Sequence, residues 1–163
     1  MDVNEKIVEC WLNNCKNIFT ISNVEYNIHH SAIDILGIDL KRKEVLDIEV
    51  KFKAKISIGE NKKPQNGFLH FKKQLLDNSR DAIIARMLPV NHNFTIKKIF
   101  ITTKHFFTVK KYDYWLKRFK KEGISLIFFE DIMKELREKA GTLNKANDEI
   151  LQTLRVAYMS RNN

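Results

Sequence analysis

The chain has 163 residues, 44% hydrophobic and 30% charged, which excludes a disordered polymer and fits one globular domain, residues 1–163. Its 29 lysines and arginines outnumber 20 acidic residues, giving a formal charge of +9 and a pI near 9.5 that favours a polyanion such as nucleic acid. No apolar run approaches a membrane span, the opening MDVNEK has no signal-peptide core, and Cys10 and Cys15 supply neither a disulfide scaffold nor zinc spacing, so a cytoplasmic protein without a membrane partner is expected.

The apolar spacing of Ile7, Val8, Trp11, Leu12 and Cys15 predicts a helix over 4–16. Residues 17–26 read as a strand, and 32–41 with 45–53 as a hairpin closed by a charged turn. A basic loop containing glycine and proline follows, to Gly67. Residues 68–88 carry helical spacing broken at Asp77-Asn78-Ser79, and 97–103 (KKIFITT) form a buried strand. An amphipathic helix over 109–121 stops at Gly123, and 124–129 (ISLIFF) form another buried strand. Helices over 130–139 and 145–159 complete the chain, the last with Ile150, Leu151, Leu154 and Tyr158 on one face. This order predicts an α/β fold with a mixed central sheet flanked by helices. The early hairpin is antiparallel, and the crossover from 97–103 to 124–129 is long enough to be parallel.

The hairpin Asp34–Lys51 (DILGIDLKRKEVLDIEVK) carries the chemistry. Alternation along a strand puts Asp47, Glu49 and Lys51 on one face. A two-residue turn at Arg42-Lys43 pairs Lys41 with Glu44, which sets Asp34 opposite Lys51 and diagonal to Glu49. Two carboxylates within reach of each other suit a hard divalent cation, and a lysine beside them can steady charge on a phosphate. Asp34, Glu49 and the Val50 carbonyl are the expected ligands of Mg²⁺, with Mn²⁺ as substitute, and Lys51 is the expected catalytic cation. Asp47 has no assigned role. The same acid-x-lysine triplet also occurs on solvated edge hairpins.

Ala32-Ile33-Asp34-Ile35 followed by Ile48-Glu49-Val50-Lys51 resembles the PD-(D/E)XK nuclease signature. FITTKHFF (Phe100–Phe107), the helix after it and ISLIFFED (Ile124–Asp131) resemble the Mrr-type restriction endonuclease catalytic domain. The resemblance covers about residues 3–138, leaving the helix over 145–159 as an appendage and no separate DNA-reading domain. It implies a restriction-endonuclease-like core and a metal-dependent DNA endonuclease with Asp34 and Glu49 as ligands and Lys51 as catalytic lysine. It also implies a glutamate from the first helix, for which Glu5 projects nearer the apolar stripe than Glu9. His29-His30-Ser31-Ala32 stand where many Mrr-like domains place glycines. Gln74 resembles a glutamine of some relatives, but projection from Phe68, Leu75 and Leu76 turns it away, so no role is assigned.

Lys53, Lys55, Lys62, Lys63, Lys72 and Lys73 flank the hairpin and are candidate phosphate contacts. His29 and His30 read as a surface loop, and Phe106, Phe107, Tyr112, Tyr114, Trp115 and Phe119 as core packing. Cutting both strands of a duplex needs two sites, so a homodimer is expected, with the last helix in its interface. A separate protein could supply target recognition. The alternatives are a non-catalytic DNA-binding protein on the same fold and a structure-selective nuclease of the Holliday-junction type.

Overall fold

The structure is a computed structural model, which describes residues 2–27, 31–52, 67–88, 93–107, 112–143 and 147–160. The first helix, α1 (Val3–Trp11), starts at a capping box. Asp2 accepts from the Asn4 and Glu5 amides, and Glu5 accepts from the Asp2 amide. It continues as a π-helical turn, Leu12–Lys16, and ends at Asn17 in the left-handed region at φ 56°. Three antiparallel strands follow, β1 (Phe19–Asn27), β2 (Ser31–Asp39) and β3 (Glu44–Lys51).

The expected two-residue turn does not form. Asp39 pairs with Glu44, leaving the four residues 40–43 as the turn. The Asp39 carboxylate accepts the Arg42 amide at 2.9 Å, and Lys43 takes φ 54°. This side-chain cap and left-handed residue favour the longer turn. The register therefore slides by two residues, an even number, so the shift itself turns no side chain to the other face. Asp34 comes level with Glu49 rather than with Lys51.

The predicted break at Asp77-Asn78-Ser79 separates α2 (Phe68–Leu75) from α3 (Asn78–Met87), whose cap is Asp77. Then come β4 (Thr95–Thr102), α4 (Tyr112–Lys121), β5 (Ile124–Phe128), α5 (Phe129–Thr142) and α6 (Glu149–Met159). Gly123, at φ 76°, makes the turn between α4 and β5. The sheet is open and mixed, in the order β1-β2-β3-β4-β5, with β3–β4 and β4–β5 parallel. It is the α/β arrangement expected from the element order.

One face of the sheet, bearing Ile35, Leu46, Ile48, Val50, Ile99 and Ile101, packs against α1, α5 and α6. The other is covered by α2, α3 and α4 through an aromatic cluster around Phe100 and Phe119 and a smaller group around Leu36, Val45 and Ile84. Phe106, Phe107, Trp115 and Phe119 are core residues, as expected, whereas Tyr112 is exposed at the edge of Phe128. Ile150, Leu151 and Leu154 of α6 pack into the first cluster, while Val156 and Met159 stay exposed. The Tyr158 side chain lies outside the described residues. Among the described residues no helix is long and apolar enough to cross a membrane.

Candidate active site

The pleat of β2 is interrupted at Asp34. Ile35 packs with Val8 and Ile48, but Ile33, two residues away, packs with Val24, Leu36 and Ile84. On β1 the residue between Ser22 and Val24, opposite Asp34 in the register, is Asn23 at φ 55°. Beyond the Ile35–Ile48 pair, the Val50 amide donates to Asp34 Oδ2 at 2.7 Å. A side chain thus holds the end of β3 where the strand ladder loosens. On the other side of β3, Thr102 Oγ1 donates to the Lys51 carbonyl at 2.7 Å.

Two of the three hairpin residues touch, and the third, Asp34, lies near enough to feel the charge of both. Lys51 Nζ lies 2.7 Å from Glu49 Oε1, and Glu49 is 1% exposed. Burial and the charge of Glu49 push the Asp34 carboxyl up to about 7, against the opposing effects of Lys51 and the Val50 amide. Burial opposes the charge on Lys51, but Glu49 and Asp34 outweigh it and raise its pKa, so Lys51 stays an ammonium. Glu5 adds a smaller upward push to both groups, which brings the first-helix glutamate near the site. Glu9, further from the apolar stripe, is half-buried and bonded instead to β1. It accepts from the hydroxyls of Thr20 and Ser22 at 3.0 and 3.1 Å and ties α1 to β1.

Asp47 is no bystander. Fully buried, it accepts from Arg80 Nε at 3.1 Å and from Lys98 Nζ at 2.8 Å, and Lys98 also pairs with Asp81. Arg80 Nη1 reaches Glu49 Oε2 at 3.0 Å, and Gln74 Nε2 donates to Glu49 Oε1 at 2.7 Å. The contact differs from the projection because Leu76, one of the three residues that mark the apolar side there, is exposed, whereas Phe71 is buried. Centring the stripe on Phe68, Phe71 and Leu75 brings Gln74 from about 140° off the buried side to about 90°, at 100° per residue. For Arg80 and Lys98 the available signal was Asp47 itself. An acid between Leu46 and Ile48 on a strand covered on both faces demands a cation.

Lys72 pairs with Glu122 at 2.8 Å and Lys73 is exposed, both near the end of α2. Lys53, Lys55, Lys62, Lys63, His29 and His30 lie outside the described residues. A cleft of about 980 Å³ opens on the α1–α5 face between Trp11, Ile48, Ile99 and Ile127, away from Asp34, Glu49 and Lys51. Its rim charges pair as Lys16–Glu135, Arg42–Asp39 and Lys97–Glu44.

Among the described residues no group of three or more histidines, cysteines and carboxylates is arranged to hold a metal ion. The pair Asp34 and Glu49 fits Mg²⁺ better than it fits zinc, because Mg²⁺ keeps several waters and is commonly held by one or two carboxylates together with substrate phosphate. Burial first and the charge of Glu49 second raise the Asp34 pKa, and a cation held by the two carboxylates would relieve the second of these.

No family model matches the chain, and no curated protein matches it significantly. Among solved structures it is similar to a crystal structure of a protein of unknown function, AF1548. The identity is 18% over 97% of this chain and 79% of the other, and the TM-score is 0.46, too distant to carry function.

Proposed function

We propose that the protein is a Mg²⁺-dependent DNA endonuclease with a restriction-endonuclease-like core of the PD-(D/E)XK class, Mrr-like, acting in the cytoplasm as a homodimer. The observation that carries this reading is the half-buried Asp34 carboxyl beside the buried Glu49, with the Lys51 ammonium 2.7 Å from Glu49 Oε1. Asp34, Glu49 and the Val50 carbonyl would hold the cation. When bound, Mg²⁺ would acidify a coordinated water and neutralise phosphate charge.

The chain's own residues do the rest. The Val50 amide and burial fix the Asp34 carboxylate. Gln74 and Arg80 hold Glu49 from two sides. Lys51, kept charged by its neighbours, can turn its ammonium from Glu49 to a non-bridging phosphate oxygen and stabilise charge building there as water attacks phosphorus, the ester bond to one sugar oxygen breaks, and that oxygen leaves with a proton from solvent. The excess of nine positive charges favours DNA at a distance, with Lys53, Lys55, Lys62, Lys63, Lys72 and Lys73 as candidate phosphate contacts.

A second reading has an observation of its own. Both oxygens of Glu49 are already engaged by Lys51, Gln74 and Arg80, a closed network that also suits a non-catalytic DNA-binding protein. Plasmid and four-way-junction DNA, incubated with Mg²⁺ or EDTA, separate the two. The nuclease reading expects Mg²⁺-dependent cutting that is lost in Asp34→Ala and Lys51→Ala, and preference for the junction would mark a structure-selective enzyme. Equal cutting by the variants would remove the site assignment. Salt-dependent binding without cutting would favour the binder.

A further inference from the structure

We propose that Arg80 is a positioning residue of this site, locking Glu49 to the buried Asp47 so that Glu49 offers only Oε1 to a cation beside Asp34. The inference rests on the nuclease reading and extends the site from the hairpin to α3.

Asp47 and Glu49 are two residues apart on the same face of β3, and each is at most 1% exposed. Two carboxylates buried side by side repel each other, and a single planar guanidinium bridges them. Its Nε and Nη2 take Asp47 and its Nη1 takes Glu49 Oε2. Arginine suits this task because its donors form a rigid fork, whereas lysine is a point charge on a flexible stem. The fork is itself held. Lys98 fixes Asp47 Oδ2 from β4, and Arg80 lies over the Tyr26 ring at 5.3 Å.

Stability alone does not explain the cluster. Buried ion pairs recover their desolvation cost poorly, and apolar groups of similar size often serve a core as well or better. The network does something an apolar core does not, which is to assign the two oxygens of Glu49. Oε2 is committed to Arg80, and Oε1 faces Lys51 and Gln74. Lys51 and Gln74 are side-chain groups at the mouth of the site and can yield to a metal ion. Arg80, fully buried, cannot. Partners that orient a ligand in this way typically change metal affinity by about ten- to a hundredfold.

Mn²⁺ binding to the full chain, measured by titration calorimetry, tests this with wild type, Arg80→Lys, the double variant Asp47→Leu/Arg80→Met, and Asp34→Asn. Arg80→Lys keeps the charge and loses the fork. The double variant removes the ion pair in an apolar swap and releases Glu49 Oε2. Both are expected to keep the wild-type circular dichroism spectrum and to bind Mn²⁺ at least about tenfold more weakly. The Mg²⁺ concentration for half-maximal cutting should rise with them, and saturating Mg²⁺ should restore much of the rate. A folded Arg80 variant that binds Mn²⁺ like wild type overturns the proposal while leaving the site intact, provided Asp34→Asn weakens binding. Loss of fold in both Arg80 variants also overturns it, assigning Arg80 to the core alone. Failure of wild type to bind Mn²⁺, or equal binding by Asp34→Asn, removes the nuclease site itself and this inference with it.

Discussion

Asp34→Asn keeps an oxygen for the Val50 amide 2.7 Å away but removes the titrating proton. In the folded protein the Asp34 carboxyl is pushed from 3.8 up to about 7, by burial first and by Glu49 second. Between those two values the folded state holds a proton that the unfolded chain has released, so stability falls as pH rises across that window. About three pKa units at about 1.4 kcal/mol each set a ceiling near 4 kcal/mol, and partial exposure of the carboxylate reduces the expected cost to about 2 kcal/mol. Asparagine escapes this cost. Urea unfolding in EDTA at pH 4 and pH 8 measures it: the variant should match wild type at pH 4 and exceed it by about 2 kcal/mol at pH 8. Adding Mn²⁺ at pH 8 should stabilise wild type more than the variant, since binding to the native state adds to its stability. A difference independent of pH, or a wild type more stable than the variant at pH 8 in EDTA, would refute the account of Asp34.

Glu5→Gln preserves the capping box, where glutamine serves as well as glutamate. It should leave stability nearly unchanged and lower cutting at saturating Mg²⁺ by about tenfold, the low end for an outer partner of a metal site. Glu9→Gln should leave cutting intact and cost about 1 kcal/mol in urea unfolding, through weaker bonds from Thr20 and Ser22. Equal loss of cutting in the two variants would contradict the assignment of Glu5. Phe100 is fully buried, stacked on Phe119 at 5.2 Å and level with Glu49 in the parallel register. Phe100→Ala should cost about 3–5 kcal/mol, and a loss below about 1 kcal/mol would mean that the aromatic cluster closes over the gap.

The hairpin could be read from the sequence because strand alternation is local: any even shift in register leaves Asp34, Glu49 and Lys51 on one face. The shift itself could not be read, because it depends on Asp39 capping the turn and on Lys43 taking a left-handed conformation. Helix order and the break before α3 followed from apolar spacing and the Asp77 cap. The buried network escaped for a different reason. Arg80 sits in NSRDAIIARM, where a charged residue normally marks the solvent side, and Lys98 meets Asp47 only once β4 lies parallel to β3. Those pairings belong to the tertiary arrangement, and only the isolated acid at Asp47 hinted at them. The place of Gln74 is hidden by Leu76, an apolar residue that the helix leaves exposed.

The most direct test of the central claim is a crystal structure grown with Mn²⁺ and read by anomalous scattering. The account predicts one strong peak between Asp34 and Glu49 Oε1, with Lys51 moved off that oxygen and Arg80 still on Oε2. No peak there, with Lys51 remaining on Glu49 at saturating Mn²⁺, would contradict it.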